Sequence, residues 1–233
     1  MKILAFDTLM NACSVACYDS SSDSLFTKNV EIERGHAEIL VPMVEEVMAQ
    51  SGWGYQDIDL IGVTRGPGAF TGLRIGLSTA RAYGLSLDKP VIGITTFDAM
   101  YQTYIKNNKV EGRVCILLET KRDDYYMALY SKEGELITMG VCSGDDILNM
   151  INEDSTLAVT GNAVERFQAE YKKDLPYACQ VCGVNKGINI LDFAQYGISY
   201  YEFGSTPNMP LPLYLRDADI SFPKKRPRKL KVL

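Results

Sequence analysis

The sequence is short of the residues on which many catalytic and metal sites depend. Its 233 residues include one histidine, His36, and one tryptophan. A Ser-His-Asp or Cys-His mechanism would have to use His36, and its neighbourhood in the sequence supplies no nucleophile. A histidine-based metal site needs more than one imidazole. The sequence therefore gives little support to a peptidase, and we expect no metal site.

Long hydrophobic runs are missing as well. No apolar stretch approaches the roughly 18 residues that a membrane-spanning helix needs. Asp7 interrupts the N-terminal segment where a signal peptide would continue its apolar core. Hydrophobic residues make up 46% of the chain and charged residues 23%, which is typical of a globular protein. We therefore expect a cytoplasmic protein with a sizeable core.

The six cysteines are spread thinly along the chain, and most lie in apolar segments. Cys179 and Cys182 form the one pair with the spacing of a redox or metal motif. A second such pair and a nearby histidine are both missing, so a zinc site would lack half of its ligands. The sequence therefore predicts incidental, reduced thiols.

Charge is distributed unevenly. Residues 224–231 hold six basic side chains and no acid, and the rest of the chain then carries 18 basic against 29 acidic residues, a net charge of −11. Such a segment is either a solvated tail or a tether for an anionic partner such as RNA.

The residue pattern predicts an α/β protein made of two related β-β-β-α-β-α halves. In the first half, strands are predicted at 3–8, 12–18, 25–30, 58–64 and 90–94, with helices at 36–50, 71–87 and 96–106. In the second half, strands are predicted at 113–119, 125–130, 135–139 and 156–160, with helices at 145–151 and 189–203. We expect lobes at 1–110 and 111–205, followed by an extended tail, 206–233, packed on the surface.

The first two predicted helices carry more apolar surface than one core requires. Apolar residues cover roughly 200° of helix 36–50, about twice the stripe that faces a single sheet. In helix 71–87, Gly72, Gly76, Ala80 and Gly84 recur at four-residue spacing, and each helical glycine costs about 1 kcal/mol relative to alanine. Close backbone contact must offset that cost, either with the helix's own sheet or with a second protein.

We favour the second interpretation, a seam for a dimer or heterodimer, because such a patch is a liability in a monomer. We expect Arg74→Glu or Gly76→Leu to disrupt pairing while leaving the fold largely intact. The residues predicted to form this partner interface are His36, Leu40, Met43, Val44, Val47, Gly72, Arg74, Ile75, Gly76, Thr79, Ala80 and Tyr83.

A glycine-rich loop, 65–72, joins a predicted strand to the start of helix 71–87. Such a loop presents backbone N–H groups and the positive end of a helix dipole to a phosphate, although its spacing matches neither the Walker A motif nor the dinucleotide fingerprint. Asp7 and Thr8 end the first strand and can either hold a magnesium-bound phosphate or cap a turn. The candidate nucleotide-binding residues are therefore Asp7, Thr8, Gly66, Gly68 and Thr71.

The N-terminal half resembles a known family. The segment Ile3-Leu4-Ala5-Phe6-Asp7-Thr8, followed by Asn11-Ala12-Cys13-Ser14-Val15-Ala16, resembles the first hairpin of the actin/Hsp70/sugar-kinase-like (ASKHA) superfamily. Arg34-Gly35-His36-Ala37-Glu38, the run Gly66-Pro67-Gly68-Ala69-Phe70-Thr71-Gly72-Leu73-Arg74 and the segment 90–96 are similar to the TsaB (YeaZ) family. The resemblance is continuous over about the first hundred residues, diffuse afterwards, and returns at Tyr214-Leu215-Arg216.

The resemblance implies a two-lobed, non-catalytic subunit without a cofactor. Members of this family pair through their two N-terminal-lobe helices with the catalytic paralogue TsaD, and the ATPase TsaE joins the pair. The complex makes threonylcarbamoyladenosine beside the anticodon of tRNA. The same helices support a homodimer when the paralogue is absent.

The sequence departs from the catalytic paralogue at one informative place. Catalytic members carry a His-x-x-x-His pair just after the strand that ends at Ile94, where this chain has Thr96 and Met100. A hydroxyl and a thioether do not replace two imidazoles on a hard or borderline metal. We therefore expect a scaffold rather than an enzyme; the alternative is a small-molecule phosphotransferase or ATPase of the same superfamily. In addition, Lys224, Lys225, Arg226 and Arg228 are predicted to contribute to tRNA binding by the complex.

Overall fold

The computed structural model describes residues 1–120, 122–175, 180–181, 187–204 and 209–216. Within these residues no helix is both long and apolar enough to cross a membrane. The chain folds into two five-stranded mixed sheets with helices on their faces.

The first sheet has the strand order β3-β2-β1-β4-β5, with β1 parallel to β4 and antiparallel to β2. Its central strands β1 and β4 are apolar except at their ends and are buried on both faces, as expected for strands covered by helices on each side. The elements are β1 (Lys2–Asp7), β2 (Ala12–Asp19), β3 (Ser24–Glu31), α1 (His36–Ser51), β4 (Leu60–Thr64), α2 (Phe70–Leu87), β5 (Val91–Ile94) and α3 (Thr96–Asn107).

The second sheet repeats this plan. Its order, β10-β9-β6-β7-β8, is that of the first sheet read from the opposite end, so each strand has a topological equivalent in the first half. The elements are β6 (Val114–Glu119), β7 (Tyr125–Tyr130), β8 (Leu136–Cys142), α4 (Gly144–Glu153), β9 (Ala158–Thr160), α5 (Val164–Glu170), β10 (Gln180–Val181) and α6 (Ile190–Glu202). The predicted duplication of an α/β unit is therefore confirmed.

The last helix of each half packs across the boundary between the halves. Helix α6 lies on β1 and β2 of the first sheet, while α3 lies on β6 of the second, and the two helices pack against each other. One apolar cluster accordingly contains residues of both halves, such as Ile3, Phe97, Ile116 and Phe193. The sequence divisions at 1–110 and 111–205 remain a prediction, because α6 contributes to the core of the first sheet.

Two elements of the second half escaped prediction, α5 and β10, and both lie in the segment 161–187 that the sequence pattern left unassigned; in the first half, a short 3₁₀ helix, Tyr55–Asp57, was not predicted either. Helix α5 is only seven residues long and includes two glutamates and an arginine, so its sequence shows little apolar periodicity. After α6, residues 209–216 form neither helix nor strand and lie against the first half, where the Leu213 N–H donates to the carbonyl oxygen of Arg65; the extended tail at 206–233 stays a prediction. We call residues 209–216 the strap.

Candidate partner interface

Helices α1 and α2 lie side by side on one face of the first sheet, with α1 on β2 and β3 and α2 on β4 and β5. The glycines of α2 allow the helix to lie unusually close to the sheet. A Cβ atom at Gly72 would stand 1.9 Å from the Thr8 carbonyl oxygen, and one at Gly76 would stand 2.6 Å from the Thr8 Oγ1. A Cβ at Gly84 would lie 2.3 Å from a methyl group of Val91 on β5.

The glycine ridge therefore faces the chain's own sheet, and its interpretation as a seam between two proteins is wrong. The first of the two alternatives, close contact of α2 with its own sheet, accounts for the cost of three helical glycines. The expectation that Gly76→Leu would spare the fold is wrong for the same reason, since the added side chain would collide with Thr8. The α1 and α2 residues predicted for the interface but buried within this half are His36, Leu40, Met43, Val44, Val47, Gly72, Gly76 and Ala80.

The side of α2 that faces solvent is opposite the glycine ridge. We call its residues the α2 outer stripe: Thr71, Arg74, Ile75, Ser78, Ala82 and Leu85. They are spaced at i, i+3, i+4, i+7, i+11 and i+14, so they share one face of the helix. Leu85 is 80% exposed, and Arg74 is the one charged member. Of the predicted interface residues, Arg74 and Ile75 lie on this stripe, and Thr79 and Tyr83 lie beside it, half-buried.

Residues that sequence reasoning missed complete this surface. Val41 of α1 is 41% exposed, and Ala37 and Pro42 on the same helix are also exposed. Ser78, Ala82 and Leu85 were missed on α2. The signal that could have located them is simple: on a helix whose small residues seat against a sheet, the partner face lies about 180° away.

Arg74 is held in place by stacking. Its guanidinium carbon lies 3.8 Å from the ring centroid of Phe70, and Phe70 in turn packs against Tyr214 of the strap at 5.5 Å. Tyr83, one turn beyond Thr79, stacks on Tyr55 with ring centroids 5.9 Å apart, and burial raises the pKa of Tyr83. Both ends of the exposed surface are thus ordered by aromatic contacts.

The strap joins the glycine loop to the second half. The Leu213 N–H donates to the carbonyl oxygen of Arg65 at 2.7 Å, and the Arg81 guanidinium donates to the carbonyl oxygen of Pro210 at 2.6 Å. Arg216 forms an ion pair with Asp124 at the start of β7. Beneath the strap is a cleft of about 510 Å³, lined by Pro67, Gly68, Phe70, Leu73, Arg74, Tyr126 and residues 213–216.

The candidate nucleotide residues do not assemble into an open phosphate site. Asp7 and Thr8 are each about 1% exposed. Asp7 Oδ1 accepts hydrogen bonds from Thr64 Oγ1 at 2.5 Å and from the Leu9 N–H at 3.1 Å, while the Thr8 hydroxyl donates to the Gly72 carbonyl oxygen at 2.7 Å. Burial raises the pKa of Asp7, opposed by these hydrogen bonds. The structure therefore supports turn capping over phosphate binding for Asp7, while Thr8 holds helix α2 against the end of β1.

The space beside the loop glycines Gly66 and Gly68 is filled by other parts of the chain. A Cβ atom at Gly66 would stand 2.7 Å from the Leu213 carbonyl oxygen, and one at Gly68 would stand 2.9 Å from Leu9 Cβ. The strap and the β1–β2 turn therefore cover this loop, and of the five candidates Thr71 alone is exposed, on the α2 outer stripe. The alternative of a tight strand-to-helix turn describes the loop.

A second, polar cleft of about 720 Å³ lies between the halves. It includes three carboxylates, Glu31, Glu119 and Glu165, together with asparagine amides and no lysine or arginine among the described residues that line it. Glu119 is paired with Arg166 at 3.1 Å.

Three further positions singled out by the sequence serve the interior. His36 is buried at the start of α1, and its Nε2 has no hydrogen-bond partner within the described part of the chain. Thr96 and Met100 are buried in the first turns of α3; the Thr96 hydroxyl donates to the Pro67 carbonyl oxygen at 2.7 Å, and Met100 belongs to the shared apolar cluster. These two positions therefore serve packing.

Of the cysteines, Cys13, Cys17 and Cys115 are buried and unpaired, as expected for core thiols, and burial raises the pKa of Cys13 and of Cys17 to about 12. Cys179 and Cys182 lie outside the described residues. So do Lys224, Lys225, Arg226 and Arg228, the residues predicted to bind tRNA.

Comparison with known proteins places the chain among relatives. Residues 30–203 match the family model described as TsaD: tRNA N6-adenosine threonylcarbamoyltransferase. The tRNA threonylcarbamoyladenosine biosynthesis protein TsaB of Haemophilus influenzae is 29% identical over 68% of this chain and 71% of its own length. The protein of that name from Escherichia coli is 35% identical over 57% of this chain and 56% of its own length.

Solved structures agree on the fold. YeaZ from Pseudomonas aeruginosa superposes with a TM-score of 0.75 at 23% identity, covering 92% of this chain and 99% of that one. The ROK hexokinase from Thermus thermophilus, at 11% identity, superposes with a TM-score of 0.52 over 87% of this chain and all of that one. The fold is thus the two-sheet α/β actin-like fold that the sequence predicted. Since the family model covers most of the chain and the relatives are named TsaB, the chain belongs to the TsaB (YeaZ) family.

Proposed function

We propose that this chain is a non-catalytic subunit that pairs with a TsaD-like catalytic subunit through the α2 outer stripe and the exposed side of α1. The pair, with a TsaE-like ATPase, carries out threonylcarbamoylation of the adenosine next to the anticodon in tRNA. Alone, the chain forms a homodimer through the same face. Support comes from the family and from relatives whose names assign them to threonylcarbamoyladenosine biosynthesis.

The observation that carries the pairing surface is the character of the α2 outer stripe. Helix α2 has 18 residues and two charged side chains, Arg74 and Arg81, and Arg81 is drawn to the strap. The exposed side therefore consists of small and apolar residues with one cation at its edge. Small side chains let a second helix approach closely, and a low density of charge limits the cost of removing water.

The same structure supports a subunit without chemistry of its own. Asp7 and Thr8 are committed to internal hydrogen bonds, and Thr96 and Met100, which the resemblance places where the catalytic paralogue carries its histidine pair, are buried in the interior. The subunit would then act by binding one arrangement of its partner in preference to others, which shifts the partner's population toward that arrangement. A contribution of the basic segment 224–231 to tRNA affinity is a further part of this proposal and rests on charge alone.

The decisive variant is Ala82→Glu. Ala82 is exposed on the C-terminal half of the α2 outer stripe, so a glutamate there leaves the core untouched but is buried without a partner on pairing. We expect affinity for a TsaD-like subunit, measured by titration calorimetry, to fall about 100-fold. The melting temperature of the isolated chain should stay unchanged.

The matched control is Ala169→Glu. Ala169 is an exposed alanine on α5, the topological equivalent of α2 in the second half. This variant should bind the TsaD-like subunit with wild-type affinity. Wild-type affinity of Ala82→Glu, or an equal loss in both variants, would show that the α2 outer stripe is not the pairing surface.

A further inference from the structure

The cleft beneath the strap has the size and lining of a small-molecule site, for which the proposed pairing gives no role. We call it the strap cleft. It is bounded by the glycine loop and the first turns of α2, by residues 213–216 of the strap, and by Tyr126 of β7 in the second half. Its volume of about 510 Å³ falls within the range of roughly 300–1,000 Å³ that is usual for pockets that hold small organic molecules.

The walls of the strap cleft are aromatic and aliphatic. Phe70 and Tyr214 pack with their ring centroids 5.5 Å apart, and each side chain is about half exposed, so part of each ring is uncovered. Tyr126 and three leucines complete the apolar lining. A flat aromatic guest gains from contact with these rings beyond the hydrophobic area that it buries.

Two guanidinium groups line the cleft, and they differ in whether their charge is balanced. Arg216 forms an ion pair with Asp124. Arg74 forms neither an ion pair nor a hydrogen bond within the described part of the chain, and its guanidinium carbon lies 3.8 Å from the ring centroid of Phe70. Stacking engages the flat face of the guanidinium and leaves its N–H groups, which point outward in the plane, free to donate. No carboxylate is found among the described residues of the lining, so the strap cleft offers one unbalanced positive charge.

We propose that the strap cleft binds a small aromatic carboxylate, with the ring against Phe70 and Tyr214 and the carboxylate on Arg74. A carboxylate is planar and singly charged, so it matches both the fork of the guanidinium and the one unbalanced charge. A doubly charged group such as a phosphate ester would leave one charge without a partner in a partly desolvated site. Binding needs no second chain and does not depend on the proposed function.

The test measures the affinity of the full chain for 2-naphthoate by titration calorimetry. An Ala82→Glu background is used, so that pairing through the α2 outer stripe does not cover Arg74. We expect a Kd on the order of 0.1–1 mM. The neutral analogue 2-naphthamide should bind about tenfold more weakly or less, because the hydrogen bonds to a charged partner are lost. The saturated analogue decahydro-2-naphthoate should bind about threefold more weakly, because it cannot stack.

A pair of matched variants assigns the charge. Arg74→Gln removes the unbalanced charge from an exposed position, so the fold should be retained. It should weaken the binding of 2-naphthoate about tenfold or more and leave the binding of 2-naphthamide unchanged, which would show that the cleft itself is intact. Arg34→Gln, the same change at an exposed arginine outside the lining, should leave both affinities at the parent value.

Four outcomes would overturn the proposal: no binding of 2-naphthoate in the millimolar range, equal affinity for 2-naphthoate and 2-naphthamide, unchanged affinity in Arg74→Gln, or an equal loss in Arg34→Gln. Tighter binding of 2-naphthyl phosphate than of 2-naphthoate would assign the cleft to a phosphate ester and would also overturn it. Since none of these measurements involves a partner subunit, their outcomes are independent of whether the proposed function holds.

Discussion

The two halves share one topology but differ in how their helices are seated. In the first half, α1 and α2 have 16 and 18 residues, and three glycines let α2 approach the sheet closely. In the second half, the equivalent helices α4 and α5 have 10 and seven residues, and α5 contains no glycine. A duplicated fold can thus commit one copy to a long, closely seated helix pair that presents a flat outer face.

The edge strands show the same divergence in the opposite direction. The charged strand β3 lies under α1, and its Asn29 and Glu31 side chains line the polar cleft between the halves. Strand β8 is uncharged and exposes apolar side chains to solvent. Among the described residues, exposed apolar side chains thus gather on the helices in the first half and on the edge strand in the second.

The largest change in stability is expected where α2 lies closest to the rest of the first half, at Gly72. Gly72→Ala would bring a Cβ atom within 1.9 Å of the Thr8 carbonyl oxygen, and backbone atoms at both sides of this contact must then move. We expect the free energy of unfolding, measured by urea denaturation, to fall by about 3 kcal/mol or more. Gly140→Ala on β8 is the control, since a Cβ there meets nothing within 4 Å, and it should change stability by about 0.5 kcal/mol at most. Equally small losses of stability in Gly72→Ala and Gly140→Ala would mean that the close approach of α2 to its sheet does not distinguish the two halves.

A smaller effect concerns the ends of the equivalent strands β1 and β6. Asp7 ends β1 in the core, where burial raises its pKa, whereas Glu119 ends β6 beside Arg166. A raised pKa in the folded state means that the ionised form opposes folding, so this group costs stability as the pH rises through its folded pKa and costs nothing below the unfolded value of 3.8. The stability of the wild type relative to Asp7→Asn should therefore decrease from acid to neutral pH. Parallel stability curves for the two proteins, followed by thermal unfolding, would contradict this.

The smallest effect is expected at the end of the strap. Arg216 and Asp124 are partly exposed, so Arg216→Ala should lower stability by about 0.5–1 kcal/mol at neutral pH. Although burial acts to raise the pKa of Asp124, hydrogen bonds from Thr120 and Arg216 hold it below its usual value of 3.8. The contribution of the pair is therefore present above that value and is lost as the pH falls through the depressed pKa. A double-mutant cycle with Asp124→Asn should show the coupling at neutral pH, and its persistence in acid would argue against the ion pair.

Much of the fold follows from the sequence, because long apolar runs and period-two segments identify most of its strands and long helices. Helix α5 and strand β10 were not predicted. A seven-residue helix rich in charged residues and a two-residue strand show too little periodicity, and tertiary contacts determine where they form. The pairing surface was half predicted: the spacing of Gly72, Gly76 and Gly84 shows that something lies close to α2, but spacing alone does not say whether it is the chain's own sheet or another protein. The predicted residues Arg74 and Ile75 do lie on the outer side of α2. The residues predicted on α1, such as Leu40 and Met43, are instead buried against the sheet.

The strap has a mechanical consequence. It is anchored on Arg65 and Arg81 in the first half and on Asp124 in the second, so it spans the gap between the two sheets as a cross-brace. Two-lobed proteins that close around a ligand need a hinge free to swing. Here the brace and the helices α3 and α6 connect the two halves, so we expect little hinge motion, and a partner that binds the α2 outer stripe as proposed would meet a preformed surface.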